Sequence, residues 1–156
     1  MTKVHDAAAY VLRQTPGGMS TMKLQKLLYF AQGWSLALLD EPLFEEEFQA
    51  WQRGPVCSEL FTSHKGQFSV ERLPSGSPEL LDARRRIVVD AVLRNYSGMT
   101  GIQLSELSHL PEGPWAQTRR EHEVPEGARS QAVIDRERMT RYFRETLGVP
   151  APPLSS

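Results

Sequence analysis

The chain has one cysteine, Cys57, in 156 residues. No disulfide can form within it, so core packing must hold the fold, and a reducing compartment suits it. An excess of charge of either sign is also missing. The 18 Lys and Arg oppose 19 Asp and Glu, leaving a net charge of −1 at pH 7. A general nucleic-acid binder carries a basic footprint that this balance lacks, although a local patch is compatible with it. No apolar run approaches the ~18 residues of a membrane span, so no membrane partner is expected. The opening MTKVHDAAAYVLRQ sets Asp6, Arg13 and Gln14 around a short apolar patch. It lacks the continuous apolar core of a signal peptide, and the expected location is the cytoplasm.

Recognisable cofactor and metal patterns are absent as well. Gly17-Gly18 is followed by Met19 and Ser20, not by the lysine of a phosphate loop. The 4 His stand at 5, 64, 109 and 122, with no cysteine pair and no HExxH. No cofactor, no metal site and no catalytic residue set is expected. Cys57 reads as a residue of the first turn of a helix, where a thiolate can be stabilised, with His64 or His109 as conceivable bases. The other reading is a small buried residue. Glu45-Glu46-Glu47 suggests acid–base or metal work less than a solvated turn. Arg84-Arg85-Arg86 fans over most of a helical turn, which fits a solvated face or an acidic partner patch better than DNA.

What is present is an ordinary globular composition, 40% hydrophobic and 24% charged. A chain of this length buries roughly two-thirds of its unfolded surface in one domain. Val4, Ala7, Ala8 and Val11 predict a helix over 3–14, stopped by Thr15-Pro16-Gly17-Gly18. Ser20 or Thr21 can cap the next helix, over about 20–39. Its Leu24, Leu27, Leu28, Ala31, Trp34 and Leu38 follow the helical period, and Phe30 and Ala37 widen the stripe. A stripe that wide implies a central position. Lys23, Gln25 and Lys26 then read as its solvated edge, with lysine stems lying along the core.

Beyond Asp40-Glu41-Pro42 the stretch around Phe48–Trp51 predicts a short strand. Gly54-Pro55 predicts a helix start running to about His64. Phe68-Ser69-Val70 is a second candidate strand. Ser77-Pro78 opens a helix carried by Leu81, Ile87, Val88, Ala91 and Val92 to about Tyr96. Thr100 and Gln103 have capping-box spacing for a helix to about His109. Gly113-Pro114-Trp115 starts another helix, and the last runs over 130–147 with Met139, Tyr142, Phe143 and Leu147 inward. Gly148 and Pro150 stop it. The expected fold is mainly α: a single compact multi-helix domain over 1–148, packed around the central helix, with a minor strand pair and a frayed tail over 149–156. Without a legible active site, these features favour a binding module over an enzyme.

Five stretches together resemble one family: AAAYVL at 7–12, KLQKLLYFAQGWSLAL at 23–38, PLFEEEFQAWQRGPV at 42–56, VLRNYSGMTGIQLSELSH at 92–109 and GPWAQTRR at 113–120. They are similar to the SocA/GepA-type antitoxin domain, or Panacea domain, over about residues 4–145. Ser108 stands where the family often has Thr, and 110–113 is a longer insert before Pro114-Trp115. The resemblance implies a non-enzymatic antitoxin of a type II toxin–antitoxin module, often phage- or prophage-borne. Such a domain neutralises a co-encoded toxin by direct binding, or as an adaptor delivers it to a ClpXP-type protease. Autoregulation through DNA is not expected, and the resemblance leaves the oligomeric state open. It marks Lys23, Leu24, Lys26, Leu27, Gly54, Pro55, His109 and Pro114 as signature positions, with Lys23, Lys26 and Tyr29 nearer a surface than the core. His109 beside Trp115 reads either as a backbone-bonded buried histidine or as a toxin contact. Exposed Trp, Tyr and Arg dominate binding energy, so Tyr29, Trp51, Arg53 and Trp115 are the candidate toxin contacts.

Overall fold

The computed structural model describes residues 2–150. Helix α1 (Val4–Gln14) starts where the Asp6 carboxylate accepts the Lys3 N–H at 2.9 Å and, through its other oxygen, the Ser77 N–H at 2.8 Å. Strand β1 (Met19–Ser20) leads into α2 (Thr21–Leu39), where Ser20 Oγ accepts the Lys23 N–H at 3.1 Å. Asp40 closes α2 in the left-handed region at φ 57°. Residues 24–33 of α2 are buried without a break. Nearly three turns are therefore enclosed on all sides, and α2 is the pillar its wide apolar stripe predicts.

Around it stand α4 (Ala83–Tyr96), α5 (Gly101–Ser108) and α7 (Arg136–Leu147), with α1 against one flank and α6 (Pro114–Glu121) behind a β-hairpin. An aromatic cluster fills the seam between α2 and α7. Tyr29 meets Phe48 and Phe143 edge-on at 5.5 and 5.7 Å, and Phe30 meets Phe143 at 6.0 Å and stacks on Tyr96 at 4.8 Å. Gly33 is the gap that admits the Phe143 ring, since a Cβ there would lie 2.2 Å from it.

The mainly α, single-pillar fold is as expected, but four local expectations change. Gly54-Pro55 does not start a helix. It forms strand β3 (Gly54–Val56), which pairs antiparallel with β2 (Gln49–Trp51), and α3 (Ser58–His64) begins later with Cys57 at its N-cap. Ala50, opposite Pro55, sends its N–H to Ala132 O at 2.8 Å and its carbonyl to Arg119 at 2.9 Å. The ladder thus asks nothing of a proline without an N–H. Secondly, β4 (Ser69–Val70) pairs with β1, so there are two strand pairs.

Thirdly, Ser77-Pro78 yields a single 3₁₀ turn over Pro78–Leu80. Leu81 then drops into the core in an extended conformation, and Asp82 caps α4 by accepting the Arg85 N–H at 2.9 Å. A carboxylate is an effective N-cap, and the extended Leu81 keeps the helix from starting earlier. Ile87, assigned to the inner face, is 67% exposed. Fourthly, the last helix starts at Arg136, six residues later than expected. Residues before it lie extended along β2, with Gln49 bridged to Val133 and the Ile134 N–H on Phe48 O at 2.8 Å. The Asp135 side chain then caps α7. Gly148, at φ 68°, ends α7 as its position predicts. Of the expected frayed tail, residues 151–156 lie outside the described residues.

Candidate functional site

The hairpin turn Trp51-Gln52-Arg53-Gly54 projects Gln52 and Arg53 into solvent, while Trp51 is half-buried. Its backbone is held by side chains from three helices. Arg119 of α6 donates to Ala50 O at 2.9 Å and Trp115 Nε1 to Trp51 O at 2.7 Å. Ser105 of α5 donates to Arg53 O at 2.6 Å, and Lys26 of α2 donates to Pro55 O at 3.1 Å. Gln25 of α2 brackets Cys57, donating to its carbonyl at 3.2 Å and accepting its N–H at 2.9 Å. Carbonyls at 50, 51, 53, 55 and 57 are thereby tied to the helical core. A turn fixed in this way loses little further entropy when it meets a partner.

Gly54 is required at this crossing. It sits at φ +127°, and a Cβ on it would lie 2.8 Å from Lys26 Cε and 3.3 Å from His109 Nε2. His109 stacks on Trp115 at 4.0 Å and 15°, and the Arg119 guanidinium lies 4.9 Å from the same indole. Burial pushes the Lys26 amine down from 10.5 to about 8, with no carboxylate to offset it. Burial also lowers His109 and His64, and the cations of Lys26 and Arg119 lower His109 further. The Cys57 thiol is fully buried and pushed up to about 12, chiefly by that burial. A thiol so placed is not an activated nucleophile.

These shifts give a pH dependence with a definite sign. His64 and His109 bind protons less readily folded than unfolded, so the unfolded chain takes up more protons below the ordinary value of 6.5 and stability falls there. Lys26 has the same sign between 8 and 10.5, so stability rises with pH in that interval. Cys57 opposes it above 9, the ordinary thiol value, because the unfolded thiol ionises first. Urea midpoints are therefore expected to correspond to a gain of about 1 kcal/mol from pH 8 to 9. Lys26→Met should abolish that gain, and a variant that keeps it would show that Lys26 is not the titrating group.

Beside the hairpin is a groove of about 810 Å³. Trp51, Val56 and Phe61 form its apolar part, with Trp51 and Phe61 edge-to-face at 5.0 Å. Arg53, Lys65 and Arg129 supply cations, and no carboxylate lines it. Of the candidate contacts, Trp51 and Arg53 come together here. Trp115 stands behind the hairpin as one of its ties. Tyr29 is corrected: it is 1% exposed, enclosed by Phe48 and Phe143, and presents no surface. Lys26 is corrected likewise, at 2% exposed, because its stem runs under Gly54 to reach the Pro55 carbonyl. Lys23 does lie at the edge, donating to Ser97 O. Leu24 and Leu27 are core, and Pro114 is the first residue of α6.

The charge runs find partners inside the chain. Arg84 and Arg85 pair with Glu41, Glu45 pairs with Lys3, and Glu46 accepts the Val4 N–H at 2.9 Å. Sequence reasoning missed Gln25, Phe61, Lys65, Arg119 and Arg129 as parts of the site. Gln25 carried a usable signal, because a polar residue inside an all-round apolar helix must find hydrogen bonds. Arg119 carried another, four residues beyond Trp115 on one helix face. Among the described residues no cluster of His, Cys, Asp or Glu could hold a metal, and no helix is long and apolar enough to cross a membrane.

The pillar and the hairpin pinned to it belong to an identifiable class of domain. Residues 24–116, from the pillar through the hairpin to the Trp115 tie, match the family described as antitoxin SocA-like, Panacea domain, and the chain belongs to that family. Among proteins of known name it is similar to Antitoxin SocA of Caulobacter vibrioides (strain NA1000 / CB15N), at 31% identity over 111 residues. That alignment covers 62% of this chain and 58% of the relative. No solved structure matches the chain.

Proposed function

We propose that this chain is a protein antitoxin of a type II module, acting in the cytoplasm without enzymatic turnover. It neutralises a toxin encoded beside it by direct binding. The observation that carries this reading is the hairpin held at five carbonyls, those of Ala50, Trp51, Arg53, Pro55 and Cys57, with Trp51 and Arg53 at its tip. Membership of the SocA-like family and a relative named as an antitoxin support it. Trp and Arg on a pre-ordered turn are the residue types that dominate binding energies at interfaces.

The test is co-expression of the neighbouring reading frame with and without this chain, followed by affinity capture from the same cells. Restored growth with a stable complex is the expected result. Restored growth with a toxin that disappears only while a ClpXP-type protease is active would replace neutralisation by binding with delivery for proteolysis. No restored growth would overturn the antitoxin reading.

A further inference from the structure

We infer that the groove beside Trp51 receives an acidic peptide segment of the partner, with one apolar side chain seated against Trp51, Val56 and Phe61. The ownership of that peptide by a toxin rests on the antitoxin reading; the chemistry of the groove does not. Its volume of about 810 Å³ is the size of a few residues. Arg53, Lys65 and Arg129 are all exposed, and among the described residues none of the three makes an ion pair or donates a side-chain hydrogen bond. Several other cations are paired with carboxylates: Arg85 is placed between Glu41 and Asp82, Arg144 on Asp40, and Arg138 on Glu121. Three unmatched cations around one aromatic floor, on a chain of net charge −1, are a local complement to carboxylates.

The same chemistry argues against a nucleic acid as occupant. Duplex binding draws on a run of about 6–10 phosphate contacts, and here the cations surround a single concavity. The aromatic part also suits an inserted side chain, since an anchor in a pocket ringed by polar groups is the usual layout of a strong contact.

The experiment titrates the purified chain with a fluorescein-labelled Glu-Asp-Trp-Glu-Asp-Leu-Glu peptide, and with the same label on a version carrying Lys for each acid. Anisotropy is read at low and at physiological salt. The comparison variant carries Arg53→Glu, Lys65→Glu and Arg129→Glu, and Arg94→Glu on α4 is the control reversal. Far-UV circular dichroism and melting check that both stay folded, which the absence of partners for these side chains leads one to expect. Preferred binding of the acidic peptide, weakened at least about tenfold by the triple reversal and by salt but not by the control, is the expected result. No binding of the acidic peptide, equal binding by the triple variant, or tighter binding of a labelled 12-nucleotide single strand would overturn the inference. In co-expression, a triple variant that captures and neutralises the toxin like the wild type would also overturn it, and would leave the antitoxin reading standing. A wild-type chain that fails to neutralise would sink that reading, while the peptide titration still decides the groove.

Discussion

Gly33→Ala is expected to destabilise the domain by about 3 kcal/mol, the upper end of the usual overpacking range, against a usual effect of the opposite sign. In a helix interior, Ala for Gly normally adds about 1 kcal/mol of stability. Here the new methyl carbon would lie 2.2, 2.3 and 2.7 Å from three atoms of the Phe143 ring. The ring has no room to retreat, because Tyr29, Phe30 and Tyr142 meet it at 5.7, 6.0 and 5.2 Å. Either α7 lifts from α2 or Phe143 leaves its rotamer, and both break the largest helix contact in the fold. Urea unfolding measures the loss. Adding Phe143→Leu should recover part of it, since a smaller side chain vacates the clash. A Gly33→Ala protein as stable as the parent would mean that α7 does not pack here.

The second large effect is at Arg119. Its guanidinium donates to Ala50 O at 2.9 Å, to Pro125 O at 3.3 Å and to Ala128 O, and lies over Trp115. Arg119→Met keeps most of the apolar stem and leaves those carbonyls without their donor. A buried acceptor left unpaired costs about 1–3 kcal/mol, so a loss of about 3 kcal/mol is expected from three partly buried ones. Arg119→Lys should restore less than half of it, because an ammonium lacks the planar fork that reaches three acceptors at once. The variant also frees the segment before Arg129 and one tie of the hairpin. Capture of the proposed toxin, measured well below the melting temperature, should therefore weaken more than lost stability alone accounts for. Equal loss in Arg119→Met and Arg119→Lys would point to stacking on Trp115 as the dominant role.

How far the chain could be read from its residues depended on the range of the interactions involved. Local chemistry was legible: the Ser20 cap, the Thr100–Gln103 capping box and the left-handed Gly148 all stand where their side chains predict. The wide stripe of α2 was legible as a pillar, but its consequence for Lys26 and Tyr29 was not drawn. A helix enclosed on every side has no wet edge for them, and each is buried because residues far along the chain, Pro55 and Phe143, come to meet it. Gly54-Pro55 has the same grammar whether it opens a helix or closes a hairpin. The choice was made by Ala132 and Arg119, which take up the hydrogen-bonding groups of Ala50. Val133 and Ile134, β-branched and just ahead of a helix, were drawn into extended structure by a strand more than eighty residues earlier.

The candidate site followed the same rule. Trp51 and Arg53 were visible as an anchor pair because they are neighbours in the chain. The groove they border was not, because Lys65 and Arg129 come from other loops and carry no motif. Trp115 was visible as a notable residue, yet its work faces inward, on the Trp51 carbonyl.

The packing of α7 against α2 has a consequence for synthesis. The pillar is translated well before α7, the last of the described elements, which closes over its Tyr29–Gly33 face. At about 5–20 residues per second, roughly five to twenty seconds of translation separate the two. Throughout that interval the aromatic seam lacks the Phe143 ring that α7 brings to it. The seam closes only after Leu147 has emerged, so completion of the domain lags behind translation of its own pillar.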